Sequence, residues 1–567
     1  MPLARPARPR APHRTARHLA RVATLAAAAG ACASAGGVGG APAAGSLAAS
    51  EDRVLIGDFS EVSALAVSQR YAFAATQGGL AVYDRQFARW LPPLTRDAGY
   101  PPERVTLLAA DPASDGVWIG GTGELLFYSP ATRAVTRALV GGIVRAIMFD
   151  RRDPAAGAYV VAGGGVLRVS ESGFAAPASP SELPPPGARV TPPTLDDLYR
   201  EFPSLQASAG LLTRGGDLRS YQVTAGARSP DRSEVWLGTW GGGVFQVDPV
   251  FNQATAHPYG LLTPGAGALA LAADGVWIAP LASGVGASRG GLTFASEDLQ
   301  QWRWLDGGPR APLAGARAYD VAVRDGVAWI ATDRGLARLD TRAASATRDT
   351  QLWTSTSGLP DDRVLAVAPR ADAIWVGTAR GLAAVVDETD RSATGRTEAR
   401  LFRGPLGDVA VRALLFTGDT LWAGTEAGLV LLPPNGEPVR PSSATAEPRL
   451  LGPVYALARG DSVVVVATDR AVLVLHVATG RPVTFPQSVD FAAVGTPVAL
   501  ALDGATLWVG GRGGVLIVSR QSGVSRLLPA STLAGEVTDI ALTDSYAWVA
   551  GTRGVVRLRR APDGMVR

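Results

Sequence analysis

The chain has 567 residues, 47% of them hydrophobic, with 67 glycines and 41 prolines; this excludes a single small domain and favours many short strands joined by tight turns over long helices. Its 54 basic residues are all arginine, and six of them (Arg5, Arg8, Arg10, Arg14, Arg17, Arg21) precede the first acid, Glu51. The other 48 arginines face 50 acids, so the formal charge of +4 hides a mixed, slightly acidic body that argues against nucleic-acid binding.

Residues 1–32 have the layout of a bacterial export signal. The arginine-rich start leads into an apolar run, Val22 to Ala31, too short to span a bilayer, and then into the small residues of "GACASA". Cys32 is the only cysteine, so no internal disulfide forms. It follows "AGA", which resembles a lipobox and marks Cys32 as the expected lipidation site, although Ala29 stands where leucine is usual. The alternative is cleavage after Ala35 and release of a soluble periplasmic or secreted protein. A Gly/Ala-rich tether occupies residues 33–50. No other segment has the length and apolarity of a transmembrane helix.

From there on one phrase recurs: "VWLGTWGGGVFQVD" at Val235, "AWIATDRGLARLD" at Ala328, "IWVGTARGLAAVVD" at Ile374 and "LWAGTEAGLVLL" at Leu421. Aligned on the tryptophan or its replacement, the anchors are Phe73, Trp118, Val160, Trp236, Trp277, Trp329, Trp375, Trp422, Val466, Trp508 and Trp548. Each unit reads as an apolar run, a short turn, the tryptophan strand, a tight turn, a third strand and a closing strand. Four strands in about 45 residues is the pattern of a β-propeller blade. The expected fold is therefore all-β, with about eleven to twelve blades in two propellers, at 51–310 and 311–567. A single large ring remains the alternative. The chain ends on a third strand, "GVVRLRR" (Gly554 to Arg560), and begins with "RVLIGDF" (Arg53 to Phe59), which reads as a fourth strand; pairing of the two would close a ring. An insertion at 171–217 starts Pro- and Ser-rich and holds one predicted helix, "TLDDLYREF", N-capped by Thr194. It reads as a lid over a ring mouth or as a decorated loop between blades.

The W-x-G-T-x-x-G-L core of the units at Trp236, Trp375 and Trp422 resembles the two-component regulator propeller family, over about residues 53–558. The likeness fades at "VVVVATDRAV" (Val463 to Val472), which lacks the tryptophan, and at Pro280, which takes the threonine position. Members of that family often form the periplasmic sensor half of hybrid histidine kinases. With no transmembrane segment and three residues after Gly564, this chain is expected to be the propeller part alone, without the kinase.

Residues suited to catalysis are sparse. His13 and His18 lie in the signal, and His257 and His476 are far apart in unrelated surroundings. No zinc set, calcium loop or phosphate loop is spelled out, and no metal or cofactor is expected. Asp333, Glu426 and Asp469 take equivalent turn positions in different units, which makes them turn formers before it makes them acids. The turn after the second strand carries Arg334, Arg380, Arg470, Arg512 and Arg553 in the later units. They are the candidate ligand-binding residues, a ring of guanidinium groups for carboxylate or phosphate. The alternative is solubilising charge on exposed turns. The expected role is non-catalytic: an exported platform on the periplasmic face, bound to the membrane only through lipid, that takes a glycan, an envelope polymer or a protein partner at a propeller mouth. The rival reading is a propeller enzyme such as a polysaccharide or antibiotic lyase.

Overall fold

Each repeat folds as a short antiparallel sheet whose local rules can be seen in the unit at Trp375. The computed structural model describes residues 52–215, 218–281, 290–306, 312–343, 350–370, 373–388, 398–403, 406–434, 437–441, 447–483 and 490–566. Strands Ile374–Thr378 and Gly381–Glu388 are joined by a tight turn. Thr378 Oγ1 donates to the Gly381 carbonyl at 2.9 Å and accepts the Arg380 backbone N–H at 3.2 Å. Gly381 sits at φ +117°, where a side chain would strain the backbone. The same pair of bonds recurs at Thr332 with Gly335 and at Thr425 with Gly428. The Thr-x-x-Gly phrase is thus a hairpin lock.

The tryptophan beside it fills the space between neighbouring sheets. Trp236, Trp422, Trp508 and Trp548 are buried. The indole N–H of Trp236 is bonded to Glu234, that of Trp422 to Thr417 and that of Trp508 to Thr506, so burial leaves no donor stranded in these three.

Ten antiparallel sheets form among the described residues, eight of them four-stranded. Two repeats are fused, because the 17-residue strand Ala134–Asp150 pairs with Thr122–Ser129 through its first half and with Ala158–Ala162 through its second.

The first strand of each sheet is its inner strand, and seven of these form a closed cycle. Gly265–Ala272, Ala318–Arg324, Val364–Pro369, Val411–Thr417, Val454–Arg459, Pro497–Leu502 and Val537–Leu542 pack in that order, and the last lies beside the first. The expected division at residue 310 is therefore corrected. The Trp277 sheet sits between the Trp548 and Trp329 sheets, so the cycle begins near residue 265.

The joining of the two chain ends is present. Arg53–Ile56 pairs antiparallel with Gly554–Arg559 and supplies the fourth strand of the last sheet. Residues 58–262 consequently leave the cycle after its closing strand and return to it. Their two ends meet, with the Leu261 N–H on the Gly57 carbonyl at 2.9 Å and a parallel bridge between Asp58 and Leu261. In this excursion Val223–Arg228 packs beside Val62–Val67, which packs beside Leu107–Ala110. Leu65, Leu108, Phe149 and Ala227, one from each unit, line a shared cavity of about 520 Å³.

The insertion contains helices α1 (Leu195–Glu201) and α2 (Pro203–Leu212). Thr194 caps α1 as expected, in a reciprocal pair of bonds with Asp197. The second helix was not legible in the sequence. Leu198, Leu205 and Leu212 pack on Val235, Leu237, Phe245 and Val247 of the Trp236 sheet. The helices cover an apolar face of the Trp236 sheet, which fits the decorated loop between blades, with a second helix, and not a lid. The signal, the tether and Cys32 lie outside the described residues. No helix among the described residues is long and apolar enough to cross a membrane.

Candidate functional site

The seven inner strands of the cycle share an irregularity at their starts. Ala318 pairs with Thr332 and Asp320 with Ala331, which leaves Tyr319 between them unpaired. The same slip isolates Gly267, Leu365, Arg412, Tyr455, Val498 and Thr538. A bulge of this kind turns one side chain out of the pleat. Here all seven bulged residues line one cavity of about 530 Å³ at the mouth of the cycle. Arg317, Arg363, Thr496 and Glu536, each just ahead of an inner strand, complete the wall together with Arg512. Thr538 Oγ1 donates to the Ala266 carbonyl at 2.7 Å and ties the last sheet to the first.

The charges of this mouth are unevenly satisfied. Arg412 pairs with Glu426 at 2.7 Å and lies over the Tyr455 ring at 5.5 Å. Arg512 pairs with Glu536 at 2.9 Å. Arg317 and Arg363 both lie over Tyr319, at 5.3 and 5.5 Å from its centroid. Among the described residues neither of these two guanidinium groups has a carboxylate partner; Asp333 meets only the Arg317 backbone N–H, at 2.9 Å.

One residue further along the inner strands the side chains are small or acidic. Ala268, Ala366, Ala413, Ala456 and Ala499 take this place in five sheets, and Asp320 and Asp539 in the other two. Asp320 accepts the N–H of Val321 at 2.8 Å and that of Val367, on the next inner strand, at 2.9 Å. Asp539 accepts those of Ile540 and Leu269 at 2.8 and 2.7 Å. Each carboxyl thereby bridges two inner strands. Burial pushes Asp320 up to about 6 against these bonds. Burial pushes Asp539 up to about 7, with the neighbouring Asp320 charge acting in the same direction.

Of the five arginines expected to form a ring, Arg512 alone belongs to this mouth. Arg334 is exposed and donates to the Ala314 carbonyl at 2.7 Å. Arg470 lies 3.5 Å from Asp469, and Arg380 is exposed. Arg553 lines a separate cavity of about 280 Å³ with Arg53, Glu61 and Asp97. The expected ring is corrected for a geometric reason. The turns after the second strands do lie at the mouth end, because the first inner-strand residue pairs with the last one before the turn. They stand one strand further from the axis, about 4.8 Å out. The inward arginines are Arg317, Arg363 and Arg412. Their signal was an arginine at the head of an apolar run, in "RAYDVAV", "RVLAVAP" and "VRALLF".

His257 is half-buried against aromatic rings. It bonds Gln246 at 2.9 Å, packs against Trp236 and Tyr83, and is pushed down to about 4 by burial. His476 ends the strand Val472–His476, remote from the mouth lining. Among the described residues no three histidine, cysteine or acidic side chains stand close enough to share a metal ion.

No family model and no curated protein matches the chain. Solved structures do. The extracellular domain assigned to one-component system BT4673 of B. thetaiotaomicron is 15% identical over 89% of this chain and 76% of that one, with a TM-score of 0.41. The extracellular domain assigned to hybrid two-component system BT3049 of the same organism is 13% identical over 88% and 68%, with a TM-score of 0.41. PorZ, a surface component of the type-IX secretion system of Porphyromonas gingivalis, is 13% identical over 88% and 69%, with a TM-score of 0.42. Likeness at this level says nothing about ligand or role.

Proposed function

We propose that the chain is an exported, non-catalytic recognition module of two β-propeller rings. One ring comprises the seven sheets from residue 265 onward, closed by Arg53–Ile56. The other comprises the four units between residues 62 and 257. The ligand, a glycan, an envelope polymer or a protein partner, docks at the mouth of the seven-sheet ring. The observation that carries this reading is the convergence of seven bulged residues on one cavity. The same bulge in two front sheets places Ser63 and Thr224 on neighbouring backbone carbonyls, as Thr538 is on Ala266; in the cycle it also brings unlike side chains, two tyrosines and an arginine among them, to one cavity, which suits a binding surface.

The groups there pair and stack. Arg412 and Arg512 are engaged with carboxylates and Tyr319 with guanidinium groups. The two inner-strand carboxyls, Asp320 and Asp539, spend their oxygens on backbone N–H groups, which supports binding over the lyase alternative. Lipidation at Cys32 would hold the module on the periplasmic face of the envelope.

The test is retention of envelope glycans and proteins by the mature chain against a variant carrying Tyr319→Ala and Tyr455→Ala. We expect the variant to keep its fold and lose most of the retained material. Unchanged retention would count against the mouth. Turnover of any retained polymer, abolished in Asp539→Asn, would favour the enzyme.

A further inference from the structure

The mouth is electrostatically lopsided, and the lopsidedness specifies a ligand. Two of its arginines are already neutralised, Arg412 by Glu426 and Arg512 by Glu536. Such pairs offer donors and acceptors together, which suits hydroxyl groups and gives a charged ligand no net attraction. The other two, Arg317 and Arg363, head consecutive inner strands, are exposed, and lie within 5.5 Å of one tyrosine centroid. Stacking on Tyr319 restricts two long side chains that would otherwise be free, so less freedom is lost when an anion binds them. The nearby Asp333 and Asp361 carboxylates accept the backbone N–H groups of Arg317 and Arg363, at 2.9 and 2.8 Å, and pair with neither guanidinium, so two cations that share one ring are left for an oxyanion.

We propose that Arg317 and Arg363 form an oxyanion clamp, and that the ligand is an acidic sugar whose anionic group lies on the clamp while its hydroxyl groups face the Arg412–Glu426 and Arg512–Glu536 pairs. This rests on the mouth being the binding face and goes further by fixing the ligand chemistry. The oxyanion is the carboxylate of a uronic acid or the phosphate of a sugar phosphate. The clamp is confined to the Trp329 and Trp375 sheets, so the ligand enters with one orientation.

The test uses the full mature chain and four probes: trigalacturonate, its methyl ester, mannose 6-phosphate and inorganic phosphate, titrated calorimetrically at low and at physiological salt. Trigalacturonate or mannose 6-phosphate should bind, the methyl ester at least tenfold more weakly than trigalacturonate, and raised salt should weaken the charged probe. Preference between the first and third probes identifies the oxyanion. Arg317→Gln with Arg363→Gln should lower affinity for the charged probe at least tenfold and leave the methyl ester unchanged. Arg334→Gln with Arg380→Gln, on the outer turns, should change neither. Equal binding of trigalacturonate and its methyl ester, or a clamp variant that binds as wild type, overturns the clamp while leaving the mouth reading intact. Binding of all probes unaffected by Tyr319→Ala with Tyr455→Ala would overturn the mouth reading itself. Binding of inorganic phosphate as tight as the sugar probes would reduce the clamp to a bare anion site and overturn the sugar assignment.

Discussion

Asp320 and Asp539 hold protons that the unfolded chain releases near its ordinary carboxyl range. Their folded values lie above it, at about 6 and about 7. The stability they contribute is complete below the unfolded value and is lost as pH rises through the folded ones. Both keep part of their surface exposed, so solvent moderates the effect. His257 acts in the opposite sense. Its folded value is depressed to about 4, so its contribution is present above its ordinary value of about 6.5 and fades as pH falls toward 4. Melting temperature should therefore fall between pH 5 and pH 8, and Asp320→Asn with Asp539→Asn should flatten that slope. A slope that is the same in the variant would remove these carboxyls from the account. At the same scale Trp508→Ala, which empties a fully buried site, should cost about 3–5 kcal/mol in chemical denaturation. The tryptophans and the Thr-x-x-Gly lock were legible in the sequence because their roles are local. The inward arginines were not. Arg412 faces the axis because of a bulge, a mismatch between two strands that no single strand spells out, and Arg317 and Arg363 stand just ahead of such bulges.

At the scale of elements, the strand Arg53–Ile56 closes the last sheet. Its Val54 and Ile56 are buried and it covers the free edge of Gly554–Arg559. Ile56→Ala should cost about 2–5 kcal/mol. Removal of residues 52–56 should lower the melting temperature and expose an edge that pairs between molecules, seen as oligomers in size-exclusion chromatography. A monomer with wild-type melting would show that the edge is covered otherwise. The pairing of the chain ends was visible in the sequence, as a third strand without a fourth and a fourth without a third. The packing of α2 was not, because Leu205 and Leu212 lie in a segment, "PSLQASAGLL", whose small and polar residues blur the helical period.

At the scale of the molecule, the repeat period announced the architecture, while membership of a ring stayed hidden. Neighbouring sheets meet across whole apolar faces that use the same residue types in every unit, so the pattern does not say which neighbour a sheet takes. The Trp277 sheet could therefore be assigned to either side until its contacts with the Trp548 and Trp329 sheets were seen. The topology makes a further prediction. Residues 58–262 form an excursion whose ends meet at Gly57 and Leu261. A chain in which residues 59–260 are replaced by a short Gly/Ser linker should fold cooperatively and bind at the mouth as the full chain does. A melt that loses cooperativity would show that the seven sheets need the front four.

The central claim is that recognition happens at the axial mouth of the seven-sheet cycle. Hydrogen–deuterium exchange of the full mature chain, with and without saturating trigalacturonate or mannose 6-phosphate, whichever binds, tests it most directly. The account predicts slowed exchange in peptides around residues 317–320, 363–366 and 412–414, with little change at the outer turns 333–334, 379–380 and 469–470. Protection confined to those turns, or to the four front units, would contradict it.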